Sequence, residues 1–187
     1  MAKSSSDRIP SREECNELMV HHAMQPNIVE HSIQVMNVSL AITDNLKNGA
    51  AVNRDLVIAA ALLHDITKTR SLKTDERHDI SGGELLREMG FTSTAEIVEQ
   101  HIVFQNLHPQ GRLEEREIIY YADKRVTHDK IVTIEERVHY LIQRYGNTEE
   151  IRSRILQNKN LVLAVESKIA SFMNIDITHA IEEIKAR

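Results

Sequence analysis

A chain of 187 residues can bury one real hydrophobic core but has no room for two full enzyme domains, and 41% hydrophobic with 27% charged residues excludes a disordered chain. A net charge of −5 leaves no global field that would hold long nucleic acid by counterion release, although a small phosphorylated molecule is allowed where metals supply local positive charge. The single Cys15 excludes an intramolecular disulfide and a thiolate zinc framework, and neither a signal-peptide apolar region nor a membrane-length run is present, so the reading is a soluble cytoplasmic protein with no membrane partner.

In chain order, Ser4 to Ser6 reads as a frayed tail, and Ser11 with Glu14 has the capping-box spacing that starts a first helix, which Pro26 interrupts. From Asn27 the residues Ile28, Val35, Val38 and Ile42 recur at helical spacing with His31 on the same stripe, which predicts a long inward-facing helix ending near Asn48-Gly49. Residues 55–65 carry an apolar run all round and predict the central buried helix, with His64 and Asp65 at its C-terminal end. Residues 67–79 lack apolar periodicity and read as a loop carrying His78. Helices are predicted over 81–89 and 94–104, the second with His101 near its end. A loop over 105–111 holds His108. Residues 113–126 are helical again and carry Asp123.

Beyond them, 134–145, 148–157 and 161–175 read as amphipathic helices, and Thr178 is expected to cap a last one. Aromatic residues are 4% with no Trp, so the core is aliphatic and suits packed helices: the fold class is all-α. No repeat or linker justifies a cut, so residues 1–187 are read as one domain. Its motif-bearing core is about 27–126 and its C-terminal helical extension about 133–187.

His31, His64, Asp65, His78, His101 and Asp123 fall at inward or terminal positions of successive elements. Imidazole and carboxylate without thiolate suit iron, manganese, cobalt, nickel or zinc in a catalytic rather than a purely structural centre. Adjacent helical residues point about 100° apart, so His64 and Asp65 can reach one metal cluster only near a helix end, where the backbone is free to bend. Taken singly, each has a plainer role. A lone His31 is more often a hydrogen-bonded core histidine, Asp123 can pair with Lys124 or Arg125, and His101 can close a helix C-terminus. Their joint occurrence is what points to metal.

The order His31, His64-Asp65, Lys68, His78, His101, Asp123 resembles the HD-domain superfamily of metal-dependent phosphohydrolases. The segment His64-Asp65-Ile66-Thr67-Lys68 is similar to its His-Asp-Ile-Gly-Lys variety, with Thr67 where Gly is usual. The resemblance spans roughly residues 28–126 and implies a compact helical bundle of the HD-domain type with additional C-terminal helices. It further implies two divalent ions (Fe, Mn, Co, Ni, Zn or Mg). His31, His64, Asp65 and Asp123 would hold the first, His78 and His101 the second, and Asp65 would bridge. Asp65 and Lys68 are then catalytic, with Lys68 facing the substrate phosphate. The implied reaction is cleavage of a phosphoester or phosphoanhydride bond of a small substrate, by preference a nucleotide, through attack of a metal-bound hydroxide.

Arg125, Lys124 and His108 are further candidates for holding substrate, and Phe104, Tyr120 and Tyr121 are the aromatic residues near the motif. His21-His22 and the charged stretches 114–117 and 135–137 read as surface, and His128-Asp129 has no partner at useful spacing. The Gly-Tyr-Pro signature of the cyclic-di-GMP branch is absent and Ile102 follows His101, which speaks against a third metal and against that branch's substrate. The rival reading is a regulatory HD module that binds metal or nucleotide without turnover; retention of every ligand together with Lys68 favours the enzyme.

Overall fold

The structure, a computed structural model, describes residues 7–185, so the tail at Ser4 to Ser6 lies outside the described residues. Helix α1 (Arg12–His21) opens with the expected capping box: the Ser11 hydroxyl accepts the Glu14 N–H at 3.2 Å and the Glu14 carboxylate accepts the Ser11 N–H at 2.9 Å. Helix α2 (Pro26–Thr43) starts on Pro26, where the missing N–H costs nothing, and buries Ile28, His31, Val35, Val38 and Ile42 on one face. It ends earlier than its sequence suggests. Leu46 makes a β-bridge with Met173 and the Lys47 N–H bonds the Phe172 carbonyl at 2.8 Å, so tertiary pairing draws the chain out of the helix.

Helix α3 (Arg54–Leu63) is capped by the Asn53 side chain and is the centre of the molecule, with Ala59 to Leu63 buried. It packs against α2, α1, α6 (Thr92–Val98) and α7 (Glu115–Lys124). Between α3 and α6 lie α4 (Lys68–Thr74) and α5 (His78–Glu88). The expected loop over 67–79 is thus largely α4, which buries no residue and so leaves no apolar period to read. His78 opens a helix instead of sitting in a loop, and α6 stops at Val98, which leaves His101 in irregular chain beyond it.

After α7 the strands β1 (Val126–Thr127) and β2 (Lys130–Ile131) form an antiparallel hairpin that the sequence did not announce, with His128 in the left-handed region at φ 56°. Helix α8 (Ile134–Tyr145) follows as expected, with a capping box at Thr133 and Glu136. The two helices read over 148–157 and 161–175 are one 23-residue helix, α9 (Glu149–Ser171). The polar residues that looked like a break have partners: Asn158 accepts the Tyr120 hydroxyl at 2.6 Å and Lys159 pairs with Glu135 at 3.1 Å. Helix α10 (Ile177–Lys185) is capped by Asp176 rather than Thr178, since the Asp176 carboxylate accepts the N–H groups of both Thr178 and His179.

The C-terminal helices belong to the core. Helix α9 lies along α7 and α10 along α2, burying Val162, Val165, Ile169, Met173 and Ile181. A wholly buried ion pair, Lys168 to Glu117 at 2.6 Å, joins α9 to α7. No helix of the described residues is long and apolar enough to cross a membrane.

Candidate metal centre

Helix α3 stops at Leu63 and the chain turns through His64 to Thr67 before α4, so His64 and Asp65 escape the divergence that a continuous helix would impose and both side chains turn inward. Helix α2 brings His31, the start of α5 brings His78, the chain after α6 brings His101, and the last turn of α7 brings Asp123. The six residues meet at one place. Nε2 of His31 is 3.0 Å from Oδ1 of Asp123, and Nε2 of His64 is 3.4 Å from Oδ2 of Asp65 and 3.8 Å from Oδ1 of Asp123. On the other side, Nε2 of His78 and of His101 lie 3.1 Å and 3.5 Å from Oδ1 of Asp65. Two ligand groups result, His31-His64-Asp65 and Asp65-His78-His101, sharing Asp65.

Backbone carbonyls fix the imidazoles. Nδ1 of His31 faces the His128 carbonyl at 2.9 Å, Nδ1 of His64 the Ala61 carbonyl at 2.8 Å, and Nδ1 of His101 the Val98 carbonyl at 2.7 Å. A carbonyl only accepts, so in each ring the Nδ1 carries the proton and the lone pair of neutral imidazole sits on Nε2, aimed at the carboxylates. Lone pair facing carboxylate oxygen is repulsive unless a cation lies between them. Nε2 of His64 and Oδ1 of Asp65 are buried without a hydrogen-bond partner, the orphaned pair that a metal would satisfy. The residues present therefore fit a divalent ion.

The charges agree. Burial works to raise the carboxyl pKa of Asp65 and of Asp123, but cationic neighbours, His64, Lys68 and His101 around Asp65 and Lys124, His31 and His64 around Asp123, hold both well below the usual carboxylate range. The same carboxylates raise the His64 pKa against its burial, so the cluster draws positive charge, a proton or a metal ion, between imidazole and carboxylate. Burial lowers the His101 pKa, which favours the neutral ring that a metal needs. The Lys68 ammonium is held above its usual range: burial disfavours its charge, but Asp65, with Nζ to Oδ2 at 2.7 Å, outweighs it.

A cleft opens over this centre in two adjoining lobes, of about 380 and 300 Å³, that share Asp65, Lys68, Arg137 and Leu141. The larger lobe runs past His78, His101 and Asp123 to Ile151, Arg154 and Asn158 of α9. The smaller runs past His31 to His128 and to Tyr140, Arg144 and Tyr145 at the end of α8. A depression of about 410 Å³ beside α1, lined by Arg8, Glu14 and Phe91 among others, contains no such convergence of ligands.

Not every expected site residue arrives. Arg125 does not face the cleft: it is 6% exposed, with Nε donating to the Val132 carbonyl at 2.8 Å and Nη1 to the Tyr121 hydroxyl at 2.6 Å, so it holds the hairpin to α7. The rotation of about 200° between Asp123 and a residue two positions on carries it to the opposite side. His108 is exposed on the loop after α6 and lines neither lobe, its carbonyl accepting the Gly111 N–H. Tyr120 and Tyr121 are fully buried and Phe104 stacks on Tyr120 with ring centroids 4.7 Å apart, so these aromatics are core.

Other residues do stand at the cleft, the expected candidate Lys124 among them. Lys124 lines the larger lobe, with Nζ 2.7 Å from both Asp123 Oδ2 and the His101 carbonyl. Arg137, inside a stretch that reads as a solvated face, reaches both lobes, and His128 supplies the carbonyl that orients His31. A signal was present in α8: Arg137, Tyr140, Leu141, Arg144 and Tyr145 fall at helical spacing on one face, and two arginines with two tyrosines are not the composition of an ordinary solvated face.

A profile of the HD domain family matches residues 28–127. The chain is 31% identical over 150 residues to uncharacterized protein MJ0778 of Methanocaldococcus jannaschii, covering 72% of this chain and 88% of that one. It is 46% identical over 50 residues to the dihydroneopterin 2',3'-cyclic phosphate phosphodiesterase of the same organism, covering 26% of this chain and 20% of the other. It is also 27% identical over 152 residues to the tRNA (cytidine(56)-2'-O)-methyltransferase of Picrophilus torridus, covering 74% of this chain and 42% of that protein. No solved structure matches the chain.

Proposed function

The chain belongs to the HD domain family, and from that premise we propose that it is a metal-dependent phosphohydrolase that cleaves a phosphoester or phosphoanhydride bond of a small substrate, a nucleotide by preference. The observation that carries this reading is the aim of the imidazoles: three are fixed through Nδ1 on backbone carbonyls, and their Nε2 atoms, with that of His78, converge on the carboxylates of Asp65 and Asp123. His31, His64, Asp65 and Asp123 would hold one divalent ion, and His78 and His101 a second, with Asp65 shared. Bound there, the ions supply Lewis acidity, bringing the pKa of water toward neutrality and offsetting phosphate charge.

The chain's own groups do the rest. Lys68 is partly exposed to the cleft, and its ammonium pairs with Asp65 through one N–H, which leaves others to stabilise charge on a phosphate oxygen. Lys124 adds a second positive charge behind Asp123. Residues of α8 and α9 form the wall of the cleft that faces the centre. A nucleotide suits the smaller lobe, where Tyr140 and Tyr145 offer flat faces beside His31. The phosphodiesterase relative supports a phosphoester as the bond broken, over the short segment it shares with this chain.

The test is elemental analysis of the purified protein followed by a screen for product release, read by chromatography, over nucleoside mono- and triphosphates, cyclic nucleotides and dinucleotides. Co-purifying metal is expected, with release that stops on chelation and returns when a divalent ion is restored. Protein that binds no divalent ion, or metal-loaded protein that hydrolyses no phosphate ester, overturns the proposal.

A further inference from the structure

Arg137 stands outside the family-matched segment, on α8, and it is distinguished among the described arginines by a buried Nε that no partner satisfies. Arg8, Arg54, Arg70, Arg77, Arg87 and Arg116 each pair with a carboxylate at 2.5 to 2.7 Å. Arg137 pairs with none among the described residues. Its Nε is buried without a hydrogen-bond partner, and its one hydrogen bond, Nη1 to the Thr127 hydroxyl, is long at 3.4 Å. A buried donor left unmade costs free energy, and the rest of this half-buried guanidinium faces the cleft.

The surroundings say what is missing. Arg137 lines both lobes of the cleft together with Lys68, and its charge works against that of Lys68, so two cations face one space. The Tyr140 ring, 5.8 Å from the guanidinium carbon, backs it from its own helix. Asp65 is already engaged by Lys68 and by the histidines, and no carboxylate among the described residues pairs with Arg137. A guanidinium with no carboxylate of its own, beside a Lys68 ammonium that spends one N–H on Asp65 and keeps others free, makes a seat for a tetrahedral oxyanion, and the planar fork of the guanidinium matches two of its oxygens.

We propose that Arg137 is a substrate-binding residue that, with Lys68, grips the phosphate of the substrate at the junction of the two lobes, so that α8 sets which phosphorylated molecules are accepted. This rests on the reading of the cleft as a phosphate site. Direct binding of inorganic phosphate tests it without requiring turnover. Phosphate is titrated calorimetrically into the protein as purified, and after chelation, for wild type, Arg137→Gln, Arg137→Lys and the remote control Arg54→Gln, with helical content and melting temperature checked for each.

Loss of one charge-assisted contact is expected to weaken phosphate binding about 10- to 100-fold in Arg137→Gln. Arg137→Lys should recover part of it and Arg54→Gln should match wild type, with melting temperatures alike because Arg137 makes no strong contact of its own. Hydrolysis of nothing in the screen, with phosphate binding still dependent on Arg137, would remove the hydrolase and leave this seat standing. Wild-type protein that binds no phosphate, or Arg137→Gln binding as tightly as wild type, overturns the inference.

Discussion

The two oxygens of Asp65 face different neighbours. Oδ1 lies toward His78 and His101, Oδ2 toward His64 and Lys68. A carboxylate so divided can serve two ions, whereas each imidazole serves one, so Asp65→Asn is expected to lose both metals and all turnover with the helical fold intact. His78→Ala should deplete the second ion while the group around His31 and His64 still holds one. Metal stoichiometry beside phosphate release separates the two variants; two metals and normal turnover in Asp65→Asn would mean that another group bridges. Lys68→Ala should keep its metal and lose on the order of 10²-fold in rate, the usual effect of removing one electrostatic stabiliser. Full activity would reduce Lys68 to a counter-ion of Asp65. At this scale the sequence was most readable, because ligand chemistry is a property of residue type. It was least readable for Arg125, which packs against Val132 and Tyr121, and for Arg137, which lines the cleft, because both placements depend on which way a helix turns.

Helix α9 shows how elements are held. Lys168 and Glu117 are about 1% exposed and 2.6 Å apart, and Glu117 also accepts the Glu114 N–H at 3.0 Å in the capping box of α7. Lys168→Met leaves Glu117 charged and buried without its cation, which is expected to cost about 3–5 kcal/mol, read as a lowered urea midpoint. Combining it with Glu117→Gln should recover much of that loss, since the stranded charge is then gone. A double variant no more stable than the single one would place the cost in packing instead. Helices α2 and α8 were legible from their apolar stripes, and α3 from a run apolar all round. Helix α4 was not, because nothing in it is buried, and α9 read as two helices because Asn158 and Lys159 look like a break until Tyr120 and Glu135 are seen to satisfy them.

In the whole molecule the segment that no motif covers completes both the core and the cleft. Val162, Val165 and Ile169 of α9 close over α7, and α10 closes over α2, the helix that carries His31. We propose that the described residues unfold as one cooperative unit. A chain ending after Ile131 would uncover these apolar faces, and it is expected to bind a hydrophobic dye and to lose a single sharp melting transition. A truncated chain that melts sharply and keeps its metal would show instead that the core near residues 28–127 stands alone.

The sequence by itself determined the helical class, the central apolar helix and the six residues of the candidate metal centre. Apolar periodicity and ligand type are local, and a chain with His-Asp at the end of a buried run has few other places to put them. Tertiary structure decided which other residues share the site. Whether Arg125, His108, Arg137 or Tyr140 faces the metal ligands depends on the crossing of α7, α8 and α9, which packing between distant segments sets. A residue's own neighbours in the chain say nothing of that crossing. Arg137 and Tyr140 therefore reached the cleft from a stretch that reads as surface, and Arg125, two positions from a ligand, turned into the core.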